Sequence, residues 1–361
     1  MVNQKRLVDT FLDLVKIDSP TGEESEITDF VISYLTQNDL VDFVTKDRFG
    51  NIYARLEGDG EPIFFSEHLD TVEPGRTIQP RINGDYITSA GDTILGADDK
   101  SSVACVLEML HGIKENNIPH HPVELMFTLS EEVGNLGAIN FDYTLLQAKK
   151  GYCFDCSWPL GTLVIASPFY ERFTIKLIGK TAHASRPDIG KSIIPSLAQL
   201  LSTLNLGVID PETILNIGVI NSGHVRNAIP GEVTLEGEIR SFSEQKLMKE
   251  LRNMKKIIAV AAKNDSVEYT FESVRENPGF KLSKREIQLS LDELTPILST
   301  LNIIPNPVEI WSVSDTNIFA THGLTCLNLG SGREFAHTKN ERIKITTMQE
   351  LSTIMIELAR V

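Results

Sequence analysis

The sequence predicts an α/β fold, in which a domain with a mostly parallel sheet carries an inserted α+β domain. Helical and strand patterns alternate through residues 1–167 and again through residues 279–361, which is typical of α/β domains. Residues 168–278 show a separate α+β pattern. We therefore expect the first and last segments to form one domain, into which the middle segment is inserted.

The individual elements follow from the spacing of apolar residues. Helical spacing predicts two opening surface helices, at Leu7–Val15 and Ile27–Leu35, and Thr21 to Glu24 has the pattern of a cap before the second helix. Runs of β-branched and aromatic residues predict strands. The expected strands are 51–56, 63–66, 123–129, 152–154, 173–178, 214–219, 233–241 and 324–329, and the further helices are 103–110, 192–204, 244–262, 284–301 and 348–358.

Composition and charge disfavour several classes of protein. The chain has 361 residues, of which 41% are hydrophobic and 23% charged, as in an ordinary folded protein. A formal net charge of −15 disfavours nucleic acid and anionic membrane surfaces as partners. The four cysteines are too few for a disulfide framework in a chain of this length. The first residues lack the apolar core of a signal peptide. No apolar run reaches the roughly 18 residues of a membrane span. We expect a cytoplasmic protein.

Histidine and acidic residues follow several of the predicted strands. His68 and Asp70 come after the second strand, Glu131 and Glu132 come after the third, and Asp155 follows the fourth. Because the carboxyl ends of strands line the ligand crevice of an open α/β sheet, we expect these side chains to converge.

Two further candidates lie elsewhere in the same domain. Asp98 opens a predicted helix, and His337 follows a Gly-Ser-Gly loop. Imidazoles and carboxylates together suit zinc, with cobalt or manganese as substitutes, and a carboxylate that bridges two ions holds them ~3.5–4 Å apart. Taken singly, each acid is more typical of a helix cap or a solvated turn than of a metal ligand. The combination favours a two-metal site.

These residues stand in motifs that resemble a known family. The motifs are Ser66-Glu67-His68-Leu69-Asp70-Thr71-Val72, Leu95-Gly96-Ala97-Asp98-Asp99-Lys100, Ser130-Glu131-Glu132-Val133-Gly134 and Ala336-His337, and within the inserted segment Gly179-Lys180-Thr181-Ala182-His183-Ala184, Asn227-Ala228-Ile229-Pro230 and Gly237-Glu238-Ile239-Arg240. In this order, along nearly the whole chain, they resemble peptidase T and its relatives, which include aminoacylase, succinyl-diaminopimelate desuccinylase and glutamate carboxypeptidases. The resemblance implies a metallopeptidase domain with an inserted dimerisation (lid) domain.

The resemblance also implies a set of metal ligands. One ion would be held by His68 and Asp155 and the other by Glu132 and His337, while Asp98 would bridge both. The ions would be two divalent metals, with zinc the most typical.

Other residues would act without binding metal. Asp70 would orient the metal-bound ring of His68 and raise its basicity. Glu131 would be the general base, which activates a metal-bridging water and later hands the proton to the leaving amine.

The inserted domain would supply the substrate-binding residues. His183, Asn227 and Arg240 would hold the developing oxyanion and a substrate carboxylate. In relatives this histidine comes from the partner subunit, so the resemblance implies a homodimer.

The branch within the family decides the substrate. Peptidase T is longer and has a second histidine soon after the final ligand, whereas His337 to Glu341 contains none, which resembles the shorter peptidase-T-like group. The run Asp98-Asp99-Lys100 favours the peptidase T branch, since the desuccinylase and aminoacylase branch usually has Met between the Asp and the Lys. The sequence therefore favours a tripeptide aminopeptidase that acts on short peptides. Two alternatives are an aminoacylase or carboxypeptidase acting on N-acyl amino acids, and a non-catalytic binding protein of the same fold.

Other sequence patterns do not favour a different function. Cys153 and Cys156 form a C-x-x-C pattern, typical of a redox pair or half of a zinc site, but we interpret them as buried strand residues that flank Asp155. Two Gly-Lys-Thr/Ser triplets lack the earlier glycine of a phosphate loop. No Gly-x-Ser-x-Gly elbow of a serine hydrolase occurs in the chain.

Overall fold

The structure, a computed structural model, describes residues 2–361. The helices are α1 (Gln4–Lys16), α2 (Ser25–Gln37), α3 (Ala97–Glu115), α4 (Leu136–Asn140), α5 (Ile194–Thr203), α6 (Glu244–Asn264), α7 (Lys284–Ser299), α8 (Asp315–Thr321) and α9 (Ile345–Ala359). The strands are β1 (Phe43–Lys46), β2 (Ile52–Leu56), β3 (Ile63–His68), β4 (Pro80–Asn83), β5 (Tyr86–Ser89), β6 (Val123–Thr128), β7 (Lys150–Cys156), β8 (Thr162–Ser167), β9 (Phe169–Ile178), β10 (Ala182–His183), β11 (Gly207–Asp210), β12 (Thr213–Ser222), β13 (Ala228–Ile229), β14 (Glu232–Ser241), β15 (Glu268–Asn277), β16 (Phe280–Lys281), β17 (Asn306–Glu309), β18 (Thr325–Gly330) and β19 (Arg342–Lys344). None of the helices in this described range combines the length and apolarity that a membrane crossing requires.

The chain forms two compact units. The first unit comprises the residues up to Ile165 together with Leu282–Glu309 and Ser314–Val361, and the second unit comprises Ala166–Lys281 and Ile310–Val313. Each unit has its own apolar core.

The first unit is built on a mixed sheet. Its strand order is β1-β2-β6-β3-β7-β18-β8, and β17 also pairs with β8. The four central strands, β6, β3, β7 and β18, run parallel to one another. The strands beside them, β1 and β2 on one side and β8 on the other, pair antiparallel. The prediction of an α/β fold on a mostly parallel sheet is therefore confirmed.

The core of the first unit lies around β3, β6 and α3. Every residue of β3 and β6 is buried, because a parallel strand in the middle of such a sheet is covered on both faces. Helix α3 is buried continuously from Ala97 to Ile113, so it is a central helix with no solvent face over that length. Helix α1 buries only one stripe, which includes Leu7, Phe11 and Leu14. This packing fixes the carboxyl ends of the central strands.

The second unit has an antiparallel sheet with strand order β11-β12-β14-β9-β15. On β9, Phe173, Ile175 and Leu177 are buried, and they alternate with more exposed residues as expected of a sheet with one buried face. Sequence analysis missed β15, because its sequence interleaves Glu, Ser and Arg with only isolated apolar residues.

The predicted cap of α2 was wrong. Helix α2 begins after Glu24, whose side chain makes no capping hydrogen bond. The hydroxyl of Thr21 instead donates to Asp70 Oδ2 at 2.7 Å, and Glu24 Oε1 accepts hydrogen bonds from the backbone N–H and the hydroxyl of Ser130, both at 3.0 Å. Both side chains are thus used for contacts with residues that are distant in sequence.

The cysteines are all buried and free. Cys153 and Cys156 lie on β7, which confirms their interpretation as buried strand residues.

Candidate metal centre

Three neighbouring parallel strands carry most of the candidate ligands at their carboxyl ends. β3 ends at His68, Asp155 is the penultimate residue of β7, and the loop after β6 carries Glu131 and Glu132. β3 pairs in parallel with both β6 and β7, so the three strand ends lie at one edge of the sheet. The structure thus brings together residues from three separate parts of the sequence.

Two further candidates lie outside these strands. Asp98 lies at the amino end of α3, where its φ and ψ are still non-helical. His337 lies on the loop between β18 and β19 with a φ of 62°, a left-handed conformation that is uncommon for a residue other than glycine. Conformations of this kind cluster at functional sites.

Among residues 2–361, three groups of side chains have ligand atoms that all lie within 4.8 Å of one another. They are His68, Asp98 and Asp155, which we call the His68 group; Asp98, Glu132 and His337, which we call the His337 group; and His68, Glu131 and Glu132. Asp98 belongs to the first two groups. Its Oδ1 lies 3.1 Å from His68 Nε2, and its Oδ2 lies 3.2 Å from His337 Nε2. A carboxylate with one oxygen facing each group is suited to bridge two cations.

The donor set fits divalent cations. Glu132 Oε1 is buried, lies 3.0 Å from His337 Nε2 and accepts no hydrogen bond. A buried carboxylate oxygen in that state is costly unless a cation completes its coordination. Imidazole and carboxylate are ligands that zinc prefers, and three protein ligands in each group leave a position open for water or substrate.

Crowded carboxylates dominate the electrostatics of the centre. Burial raises the pKa of Asp155 well above its usual range, and the carboxylate of Asp98 raises it further. Burial would raise the pKa of Asp98 as well, but the Arg333 guanidinium and the neighbouring imidazoles outweigh it and hold this pKa well below its usual range. The nearby carboxylates of Asp98 and Glu132 raise the pKa of His337 to about 10. This excess of acidic groups is the charge that metal cations would neutralise.

Asp70 connects candidate ligands from different strands. His68 Nδ1 hydrogen-bonds the backbone carbonyl of Asp70 at 3.0 Å, and the Asp70 carboxylate lies 3.4 Å from the same nitrogen. That carboxylate also accepts the backbone N–H groups of Glu131 at 2.9 Å and Glu132 at 3.2 Å. Asp70 therefore holds the two glutamates as well as the histidine ring, which the sequence alone did not indicate.

Glu131 is buried beside the ligands and has a support of its own. Burial raises its pKa well above the usual range, and the Asp155 carboxylate adds to this effect. The side-chain amide of Asn135 donates to Glu131 Oε1 at 2.6 Å and to Asp315 Oδ1 at 3.0 Å. A carboxylate with a raised pKa is suited to accept and release a proton near neutral pH. Sequence analysis missed Asn135 and Asp315, because an amide in a loop and an acid at a helix start carry no distinctive pattern.

Two buried charged residues near His337 were also missed. Arg333 is 1% exposed and forms ion pairs with three carboxylates of the centre. Glu341 accepts three backbone N–H groups around the start of α3, including that of Asp98 at 2.9 Å. Each stands four residues from His337, but spacing in a loop does not indicate that a charged side chain is buried.

The three expected substrate-binding residues lie in the second unit. His183 is exposed on β10, which pairs with β13, and Asn227 directly precedes β13. The backbone carbonyl of Asn227 accepts the N–H of Ala184 at 2.8 Å, so His183 and Asn227 are neighbours. Arg240 lies on β14 with its guanidinium 4.4 Å from the ring centre of Tyr170.

Comparison with known proteins agrees with this geometry. Residues 171–266 match the M20 peptidase dimerisation domain, and residues 51–152 match peptidase family M28. A tripeptidase from Staphylococcus aureus is 34% identical with a TM-score of 0.95, and aminopeptidase PepT from Bacillus cereus is 33% identical with a TM-score of 0.91. Both alignments cover 99% of this chain and 98% of the other. Peptidase T from Salmonella arizonae is 24% identical over 98% of each chain. The chain therefore belongs to the M20 peptidase family, as a peptidase T-like member.

Proposed function

We propose that this peptidase is a tripeptide aminopeptidase that hydrolyses short peptides with two divalent metal ions, zinc being the native metal and cobalt or manganese its substitutes. The observation that carries the proposal is the pair of ligand groups that share Asp98, with Glu131 beside them. This arrangement occurs in a chain that is similar over its whole length to a tripeptidase and to aminopeptidase PepT.

The ligands divide between the two ions. His68 and Asp155 would hold one ion and Glu132 and His337 the other, while Asp98, whose two oxygens face His68 and His337, would be shared. When bound, the ions supply Lewis acidity toward the scissile carbonyl and lower the pKa of water.

Glu131 is the general base. It takes one proton from the attacking water as the water oxygen adds to the carbonyl carbon, and it delivers that proton to the amine nitrogen as the carbon–nitrogen bond breaks. The pKa of Glu131 is raised by burial and by the Asp155 carboxylate, which favours acceptance of the proton from water. Asp70 and Asn135 keep Glu131 in place through its backbone N–H and its carboxylate.

We propose that the second unit carries the dimer interface and the substrate-binding residues. We assign residues 168–278 to the dimerisation domain and residues 1–167 and 279–361 to the metallopeptidase domain. His183, Asn227 and Arg240 then bind the oxyanion and a substrate carboxylate, with His183 serving the site of the partner subunit in a homodimer. An open sheet edge supports this interface: beyond Leu215, β12 pairs only with β14 among the described residues, and its Val219 and Ile220 are about half exposed.

Mass spectrometry of a dipeptide and tripeptide library after incubation with the zinc-loaded enzyme tests the activity. We expect tripeptides to lose their amino-terminal residue. Glu131→Gln is the matched control, and it should lower turnover by a factor of ~100 or more while the metal content stays at the wild-type value. Release of carboxyl-terminal residues would indicate a carboxypeptidase. Cleavage confined to N-acyl amino acids would indicate an aminoacylase. The absence of hydrolysis with any metal would indicate a binding protein.

Mixed dimers test the position of His183. His183→Ala and Glu131→Gln should each be nearly inactive, since the first lacks the oxyanion donor and the second lacks the base. Refolded together in equal amounts, they should form about half mixed dimers, each with one complete site, and recover about one quarter of the refolded wild-type activity. Mixed dimers without recovered activity would place His183 outside the partner's site.

A cytoplasmic location follows from the same proposal. The four free thiols support it, because reducing compartments keep cysteines unpaired. Recovery of the enzyme from an extracellular or periplasmic fraction would contradict it.

A further inference from the structure

Arg333 is the largest fully buried side chain among residues 2–361. Its Nη1 lies 2.6 Å from Asp99 Oδ1, and its Nη2 lies 2.7 Å from both Asp98 Oδ1 and Asp155 Oδ1. Its Nε donates to Ser157 Oγ at 3.0 Å. Arginine is almost never fully buried unless it is paired, and here every nitrogen of the guanidinium has a partner. The side chain is therefore a fixed component of the centre.

The contacts of Arg333 with the ligands fall on one side of the centre. Its Nη2 contacts the Asp98 oxygen that faces His68, and it contacts Asp155, which belongs to the His68 group alone. In the described part of the chain, no hydrogen bond or ion pair joins Arg333 to Glu132 or His337, and Asp98 Oδ2 faces His337. The guanidinium therefore contacts the carboxylate oxygens that lie on the His68 side of the centre. It forms no hydrogen bond with the oxygens that face His337.

The charge of Arg333 is permanent under all conditions in which the enzyme is folded. A metal ion held by the His68 group must share Asp98 Oδ1 and Asp155 Oδ1 with this cation and is repelled by it at short range. An ion held by the His337 group shares only the Asp98 carboxylate, through its other oxygen.

We propose that Arg333 makes the two metal positions unequal, by weakening metal binding at the His68 group so that the first ion enters the His337 group. This inference rests on the two-ion centre proposed above. Arg333 acts through Asp98 and Asp155 and is a positioning residue, since it need not touch substrate. The enzyme with one equivalent of metal is then a defined species, and the weakly held second ion determines the metal concentration at which the centre is complete.

The order of filling can be measured on the wild-type protein. Crystals grown with one equivalent of Zn²⁺ per chain should show anomalous density next to Glu132 and His337. Crystals grown with excess Zn²⁺ should show density next to His68 and Asp155 as well. A single equivalent found between His68 and Asp155 would overturn the inference and leave the proposed function intact. A protein that binds no Zn²⁺ at all would overturn both.

Calorimetric titration with Zn²⁺ then tests the cause. We expect two unequal dissociation constants for the wild type, and Arg333→Gln should tighten the weaker one by about 10- to 100-fold, the range over which partners of metal ligands alter affinity. Arg6→Gln is the matched control, because Arg6 pairs with the buried carboxylate of Glu108 and lies on α1. It should leave both constants unchanged. A weaker constant that is unchanged or raised in Arg333→Gln would refute the role of Arg333, and the crystallographic order of filling decides the question if this variant fails to fold.

Discussion

Asn135→Ala removes the amide that holds the proposed base. In the wild type, Asn135 Nδ2 donates to Glu131 Oε1 at 2.6 Å and to Asp315 Oδ1 at 3.0 Å. A hydrogen bond to a charged group is worth about 1.5–3 kcal/mol. If the Glu131 carboxylate loses that much stabilisation in the reacting geometry, kcat falls by roughly 10- to 150-fold, at 1.36 kcal/mol for each factor of ten. We expect KM to stay near the wild-type value, since Asn135 has no role in substrate binding.

The assay is steady-state hydrolysis of a tripeptide by zinc-loaded enzyme, with metal content measured on the same sample. Asn140→Ala is the matched control, because Asn140 is exposed at the end of α4 and its side-chain amide donates to the Leu136 carbonyl at 2.8 Å. We expect this control to keep the wild-type kcat. Both variants should keep their metal, because Asn135 holds Glu131, which acts without binding metal in the proposed function, and Asn140 is bonded within α4.

A double variant shows whether Asn135 acts through Glu131. Added to Glu131→Gln, the Asn135→Ala change should lower kcat little further, because the residue that it positions is already inactive. Two effects that multiply in the double variant would refute this reasoning. The role of Asn135 would also be refuted if Asn135→Ala alone kept a kcat within a factor of about two of the wild-type value. Loss of metal from Asn135→Ala would refute it as well.

Three further results are expected. Asp98→Ala should abolish activity and metal binding together, because both ligand groups share this carboxylate, and two ions retained in the variant would disprove bridging. Replacing Cys153 and Cys156 by Ser should leave two ions per chain, whereas loss of one ion from a folded protein would favour a zinc site at these thiols. Burial raises the pKa of Asp315 to about 6 from 3.8, so in metal-free enzyme this group stabilises the fold below pH 3.8 and loses that effect, roughly 3 kcal/mol, as the pH rises to 6. Asp315→Asn should remove this loss of stability. Urea unfolding at pH 4, 5 and 6 measures the free energy of unfolding. A variant whose stability falls with pH as steeply as that of the wild type would contradict the prediction.

The elements with strong periodicity could be predicted from sequence. The apolar runs of β3 and β6 and the spacing of apolar residues in α9 are typical of buried strands and of a packed helix, so local sequence and tertiary burial agree there. Short or polar elements such as β1 and α8 were missed, because seven residues or fewer give too little pattern to separate them from loops.

The residues of the candidate site likewise include some that the sequence indicates and some that it does not. His68, Asp98 and His337 stand in motifs whose residue types suit a metal, so their grouping could be expected. Arg333 and Asn135 act through contacts across the fold, and no local pattern tells a buried arginine or asparagine from a solvated one. The mistaken cap at Thr21 has the same origin, since a hydroxyl near a helix start can equally donate to a distant carboxylate.

The pairing of β7 with β18 joins parts of the first unit that lie far apart in the sequence. Roughly 170 residues, including the whole second unit, must be translated after β7 before β18 exists, which takes on the order of 10 s at about 5–20 residues per second. His337 is made later still, so an unfinished chain holds His68, Asp98 and Glu131 without the last proposed ligand. A nascent chain that ends before His337 therefore lacks one of the proposed ligands, and the centre can be completed only after the whole second unit has been translated.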